Sequence, residues 1–118
     1  MESTQTTLQR TIKALSIFHE IYPTITVHAV MVLLMVAERP GITSKEIEPH
    51  LRITNSAIGR CIQLLSDLPG ELGLITQRTS LVDRRYKHRH LTPAGEALVA
   101  KAMPYLRGVT KGGNQKEG

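Results

Sequence analysis

The apolar positions of the chain fall into helical spacing at both ends and into short strand-length runs only between residues 74 and 91. Leu8, Ile12, Leu15, Phe18 and Ile21 recur every three or four residues, which predicts a first helix opened by Thr6 or Thr7 and stopped after Tyr22 by Pro23. From Val27 to about Arg39 the chain is apolar on nearly every side through Val30, Leu33, Leu34 and Val36, so a second helix, capped by Thr26, is expected to be the central pillar of the core. Pro40-Gly41 ends it. Thr43 followed three residues later by Glu46 is a capping-box pattern that opens a short third helix through Ile47 to about Leu51, and Pro49 is expected to confine it to a turn or two.

A fourth helix, capped by Thr54, is expected from Asn55 to about Asp67. Its apolar stripe is Ala57, Ile58, Cys61, Ile62, Leu64, Leu65 and Leu68, and its opposite face is Asn55, Ser56, Gly59, Arg60 and Gln63. LPGELG, residues 68–73, reads as a turn. Leu74–Arg78 and Tyr86–Leu91 then read as two strands joined by a tip at Thr79–Asp83. Thr92 at the cap and Pro93 in the first turn open a fifth helix carrying Ala94, Leu98, Ala102 and Leu106 to about Arg107, with Pro104 near its end. The fold class is therefore mainly α with a small β-hairpin. Its order of helix, helix, short helix, helix, hairpin, helix is that of a winged helix-turn-helix over residues 1–107. Residues 108–118, GVTKGGNQKEG, have little to bury and are expected to be a disordered tail.

Charge sharpens this reading. Residues 76–91 hold five cations, Arg78, Arg84, Arg85, Lys87 and Arg89, against the single acid Asp83, so most of the chain's formal net charge of +5 lies in the hairpin. A segment of that kind meets phosphates by counterion release. On the fourth helix, Asn55 and Ser56 offer short donors and acceptors, Arg60 can pair bidentately with guanine, and Gln63 can reach adenine. A polar helix face is often simply solvated, but the adjacent basic hairpin favours double-stranded DNA.

Other classes fit less well. There is no Trp, and only Phe18, Tyr22, Tyr86 and Tyr105 are aromatic, which argues against binding single strands by base stacking. The ten carboxylates are scattered over predicted surfaces, and there is no Gly-rich phosphate loop, so no catalytic constellation appears and no cofactor is implied. His88 and His90 alternate along a strand toward one face without a clear third metal ligand, and read as cationic or phosphate-contacting wing residues. Cys61 cannot form an internal disulfide and lies on an apolar stripe, as a structural thiol would. The longest apolar run, Ala29 to Ala37, is far short of the ~20 residues needed to span a bilayer, and the N-terminus lacks a signal-peptide layout, so a cytoplasmic protein is expected.

Over residues 26 to about 100 the sequence resembles the MarR-type transcriptional regulators. The family's wing pattern of Asp, Arg two on, then Leu-Thr, then Gly is matched by Asp83, Arg85, Leu91, Thr92 and Gly95. Gly73-Leu74-Ile75 leading to Arg78 resembles the strand after the recognition helix, and Thr26 with Val30 and Leu33 resembles the start of the family's second helix. The resemblance implies that Arg85 enters the minor groove at the wing tip with Asp83 orienting it, favoured by a narrow A·T-rich groove. It also implies a homodimer, and an effector pocket between the dimerisation helices and the reading unit is typical of the family. LPGELG is longer than the usual junction, Pro49 interrupts the first helix of the pair, and only about a dozen mostly polar residues follow the fifth helix, where the family has a further long helix. Dimerisation is accordingly expected to rest on the first and fifth helices, residues 7–22 and 93–107. The rival readings are a winged helix that binds another protein as inhibitor or recruiter, and an architectural or replication DNA-binding protein.

Overall fold

The computed structural model describes residues 3–107, and backbone contacts group them into two compact units: Ile25–Val99, and the residues through Thr24 together with those from Ala100 on. The described elements are helices α1 (Thr4–Ile21), α2 (Val27–Glu38), α3 (Ser44–Leu51) and α4 (Asn55–Leu65), strands β1 (Ile75–Thr79) and β2 (Lys87–Leu91), and helix α5 (Pro93–Leu106). This is the winged helix-turn-helix order expected from the sequence. The expected tail from residue 108 lies outside the described residues.

Four helix starts follow from local chemistry. Thr26, Thr43 and Thr54 each sit in extended backbone and accept a hydrogen bond from the amide three residues on, satisfying a donor the first turn would otherwise leave open. At Thr43 the box closes, because Glu46 Oε1 accepts from the Thr43 amide at 3.0 Å. Thr92 does more. Its hydroxyl accepts from the Gly95 amide at 3.0 Å and donates to the Gly73 carbonyl at 2.6 Å, tying the start of α5 to the entry of β1.

Several boundaries differ from the sequence reading. Helix α1 begins earlier, because Ser3 rather than Thr6 or Thr7 is the cap and its hydroxyl accepts from the Thr6 amide at 3.1 Å. Helix α4 stops at Leu65 instead of Asp67. The carbonyls of Leu64, Leu65 and Ser66 are taken by the amides of Leu72, Leu74 and Gly73, so the 68–73 turn itself terminates the helix. Leu68, counted in the α4 stripe, is consequently outside the helix and exposed. Strand β1 runs one residue later than expected. Helix α3 keeps both turns despite Pro49, which falls in the last turn and removes only its own amide donor. It ends at Arg52 in the left-handed region (φ 55°), whose amide still reaches the Glu48 carbonyl at 3.3 Å. Pro104 likewise leaves α5 running to Leu106.

Within Ile25–Val99 the core is Ala29, Val32, Leu33 and Val36 of α2, Ile47 and Leu51 of α3, Ile58, Ile62 and Leu65 of α4, and Leu74 and Ile75. Helix α2 is the central pillar, packing on α3, α4 and β2. The wing strands pair antiparallel in the register Ile75↔Leu91, Gln77↔Arg89 and Thr79↔Lys87. A third segment, not legible beforehand, pairs with the free edge of β2: the Gly41 amide donates to the Arg89 carbonyl at 2.7 Å, and the Arg89 amide to the Ile42 carbonyl at 3.0 Å. Gly41 makes this possible by adopting φ 90°, a conformation disfavoured with a side chain. In the other unit, the buried residues of α1 are Ala14, Ile17 and Phe18, while Leu8, Ile12 and Leu15 are 57%, 66% and 50% exposed. On α5, Leu98 and Ala102 are already buried within the chain and Leu106 is exposed.

A methyl group added at Gly95 would overlap the Leu74 carbonyl oxygen, the same oxygen that accepts from the Thr92 amide at 3.0 Å. Neither partner is a flexible side chain. Gly95→Ala is therefore expected to destabilise the fold by ~1–3 kcal/mol or more, lowering the melting temperature by roughly 5 °C or more. Circular dichroism melting checks this, and a variant melting with the wild type would show that the β1–α5 junction has room.

Candidate nucleic-acid interface

Two elements bring the basic and polar side chains together. Because β2 is hydrogen-bonded on one edge to β1 and on the other to Gly41-Ile42, the wing is fixed beside the start of α3. His88 adds a third tie, its Nδ1 lying 2.8 Å from the Gly41 carbonyl oxygen. This gives His88 a structural contact beside the role expected of it from the sequence.

Between wing and helix pair lies an open groove of about 570 Å³, lined by Thr43, Ser44, Lys45 and Glu48 of the α3 entry, Asn55 of α4, and Arg85, Tyr86, Lys87 and Arg89 of the wing. Of the ten residues singled out from the sequence, Asn55, Arg85, Lys87 and Arg89 meet here. Ser56 and Arg60 are exposed on α4 but line no part of the groove, and Arg84 is exposed at the hairpin tip. Gln63 lines a smaller crevice of about 240 Å³ with Gly59, Asp67, Gln77 and again Arg89. Arg78 lies apart, in a crevice with His90, Glu96 and Pro40. Lys45 was missed by the sequence reading. Its signal was available, since it stands two residues past the Thr43 cap in the first turn of the helix that precedes α4.

The hairpin tip is organised by its own polar groups. Ser80 Oγ accepts from the amides of Val82 and Asp83, both at 3.2 Å, and the Tyr86 amide closes a turn onto the Asp83 carbonyl at 3.0 Å. Asp83 then holds Arg85 from two sides. Its Oδ1 accepts from the Arg85 amide and from Nε, each at 3.0 Å, and its Oδ2 accepts from Nη2 at 2.6 Å. The Arg85 side chain nevertheless remains largely exposed, and its guanidinium stands 5.9 Å from the Tyr86 ring centre. The fork geometry holds the Asp83 carboxyl below the usual carboxylate range, chiefly through the Arg85 side chain and secondarily through its amide.

Arg89 is the departure. It is only 9% exposed, on the inward side of β2, where the sequence reading treated it as a surface cation. Its Nη1 donates to the Lys87 carbonyl at 2.6 Å and its Nε is sealed with no acceptor. Burial alone pushes its guanidinium below its ordinary value, although it stays cationic. Strand alternation alone does not carry this signal, since Arg89 shares its side with Leu91 and with the exposed Lys87. Cys61 is partly buried on α4, and desolvation raises its thiol despite the neighbouring Arg60, so a reactive thiolate is disfavoured. Among the described residues there is no group of three or more potential metal ligands, and no helix long and apolar enough to cross a membrane.

No protein-family profile matches the sequence, and no curated protein sequence matches it either. Solved structures do resemble the fold. A MarR crystal structure aligns with a TM-score of 0.60 at 22% identity, over 70% of this chain and 58% of that one. A MarR-family transcription regulator aligns at 0.64 and 26% identity, over 85% and 64%. MepR from S. aureus, solved as a DNA complex, aligns at 0.66 and 22% identity, over 84% and 74%. The fold is thus that of the MarR-type winged-helix regulators, and the chain spans about three-fifths of the length of the first two.

The Asp83 carboxyl is expected to titrate below an ordinary aspartate. A depressed folded value means the contact contributes fully at neutral pH and is lost only as the pH falls through that lowered value. A carboxyl NMR titration measures it, and an ordinary aspartate midpoint would show that the wing tip is unpaired.

Proposed function

We propose that the chain is a sequence-specific, double-stranded-DNA-binding transcriptional regulator of the MarR type, that it acts as a cytoplasmic homodimer, and that it is not an enzyme. The observation that carries this reading is the shared groove, in which wing cations Arg85 and Lys87 face the first turns of α3 and α4. In this reading the N-terminal part of α4 enters a major groove, where Asn55, Ser56, Arg60 and Gln63 meet base edges, and the wing follows the backbone toward the adjacent minor groove. Arg84 and Arg85 lead at the tip, Asp83 orienting the latter, with Lys87, Arg89 and Arg78 supplying positive charge along the hairpin. The MepR–DNA complex supports the comparison. Two copies would place two reading helices in successive major grooves.

The dimer reading is supported by α1, whose Leu8, Ile12 and Leu15 make an apolar stripe left open to solvent. Leu98 and Ala102 have no such surface to offer, so α5 would contribute through Leu106 and its exposed end. Replacing Leu15 by Asp is expected to convert dimer to monomer and to weaken DNA binding by loss of one half-site. Sedimentation at micromolar concentration decides it: a monomeric wild type, or a variant still dimeric, rules out this interface.

Arg85→Ala is expected to weaken duplex binding by ~1–3 kcal/mol while lowering the melting temperature little, because its guanidinium is largely exposed at the hairpin tip beside Asp83 and Tyr86. Arg60→Ala and Gln63→Ala should change which sequences are preferred. Lys87→Ala should weaken all sequences alike and lower the magnitude of the salt slope by roughly 1. Binding curves over a site library test the assignment. An Arg60→Ala variant weakened uniformly would make α4 a backbone contact, and an unaffected Arg85→Ala would remove the wing from the mechanism.

A further inference from the structure

We infer that Arg89 is an inward-set phosphate anchor, whose buried guanidinium is completed by a backbone phosphodiester of duplex DNA seated in the groove between the wing and the helix pair. The inference rests on the DNA-binding reading above and deepens it.

A guanidinium carries five N–H donors in a fixed fork, and taking one out of water is costly unless the donors are matched. Among the described residues, Arg89 has a single hydrogen bond, Nη1 to the Lys87 carbonyl at 2.6 Å, and no carboxylate within ion-pair distance. Its Nε is sealed without an acceptor, whereas Nη2 neither bonds nor is sealed. Asp67 lines the other crevice that Arg89 borders, but forms no ion pair with it. A structural arginine on an inward strand position would be expected to find an acid or several carbonyls. Arg89 instead borders a groove that also holds Lys45, Arg85 and Lys87, with Ser44 and Asn55 as neutral donors and Glu48 as its one acid. Other cations make every neighbour of Arg89 worse as a partner and an anion better. A phosphodiester fits because it is a singly charged acceptor that can take the Nη2 donors, which are neither bonded nor sealed, and it is presented by a backbone that Lys45 and Lys87 flank.

The arrangement implies opposite effects on stability and binding, which a merely structural arginine would not produce. Arg89→Met keeps the length and apolar stem while removing the buried charge, so it should melt at the wild-type temperature or above. It should nonetheless bind mixed-sequence duplex DNA more weakly, by roughly tenfold or more, the loss expected for a charge-assisted contact. The slope of log affinity against log salt should fall in magnitude by about 0.9, one phosphate contact. Arg89→Lys, which keeps the charge but not the fork, should retain the wild-type slope at reduced affinity.

Fluorescence anisotropy of a labelled mixed-sequence duplex over a series of salt concentrations, together with thermal melts of the three proteins, tests this. A folded Arg89→Met matching the wild type in affinity and slope overturns the inference while leaving the DNA reading intact. So does an Arg89→Lys variant whose slope falls by one unit. A wild type that binds no duplex at low salt overturns the DNA reading, and the anchor with it.

Discussion

The structure depends on β2 being a middle strand. Its far edge would be an open row of amides and carbonyls if the wing were a bare hairpin, and an isolated two-stranded hairpin is marginal in water. Gly41 and Ile42 close that edge with two backbone hydrogen bonds to Arg89, and His88 adds a side-chain tie to Gly41. These bonds connect the wing to the turn between α2 and α3, and α3 packs directly on α4. The position of the hairpin relative to α4 is therefore set by the Pro40–Ile42 turn as well as by the longer 68–73 connection, whose amides are already committed to the end of α4.

Much of this was legible because the signals were local. Thr26, Thr43, Thr54 and Thr92 each precede an apolar pattern of period 3.6, and each caps the helix expected of it. The hairpin was legible from its alternation and flanking turns. What escaped notice was non-local. Gly41-Ile42 is too short to read as a strand, and pairs only because β2 arrives from nearly fifty residues away. The end of α4 depends on acceptors claimed by the following turn. Residue type makes Arg89 a surface cation, and alternation puts it on the same side as both Leu91 and the exposed Lys87, so its burial depends on the non-local cover of Gly41-Ile42 rather than on the period alone.

The candidate site combines two kinds of cation. Arg85 is exposed and pre-oriented by Asp83, so its ordering costs little of the binding energy when it meets a ligand. Arg89 lies deeper, where solvent screens charge less. Both ends of the wing are held by hydrogen bonds, the tip by Ser80 and Asp83 and the root by β1 and the bridge to Gly41-Ile42. The exposed stripe of α1, Leu8, Ile12 and Leu15, stands apart from this site and is the surface on which the proposed dimer rests.

The central claim, that α4 and the wing act together on duplex DNA in a two-fold arrangement, is tested most directly by selecting bound sequences from a pool of random duplexes. The account predicts enrichment of an inverted repeat whose half-site centres are about one helical turn, ~34 Å, apart. Recovery of unenriched sequence would contradict base reading by α4, and enrichment of a lone asymmetric site would contradict the two-fold arrangement.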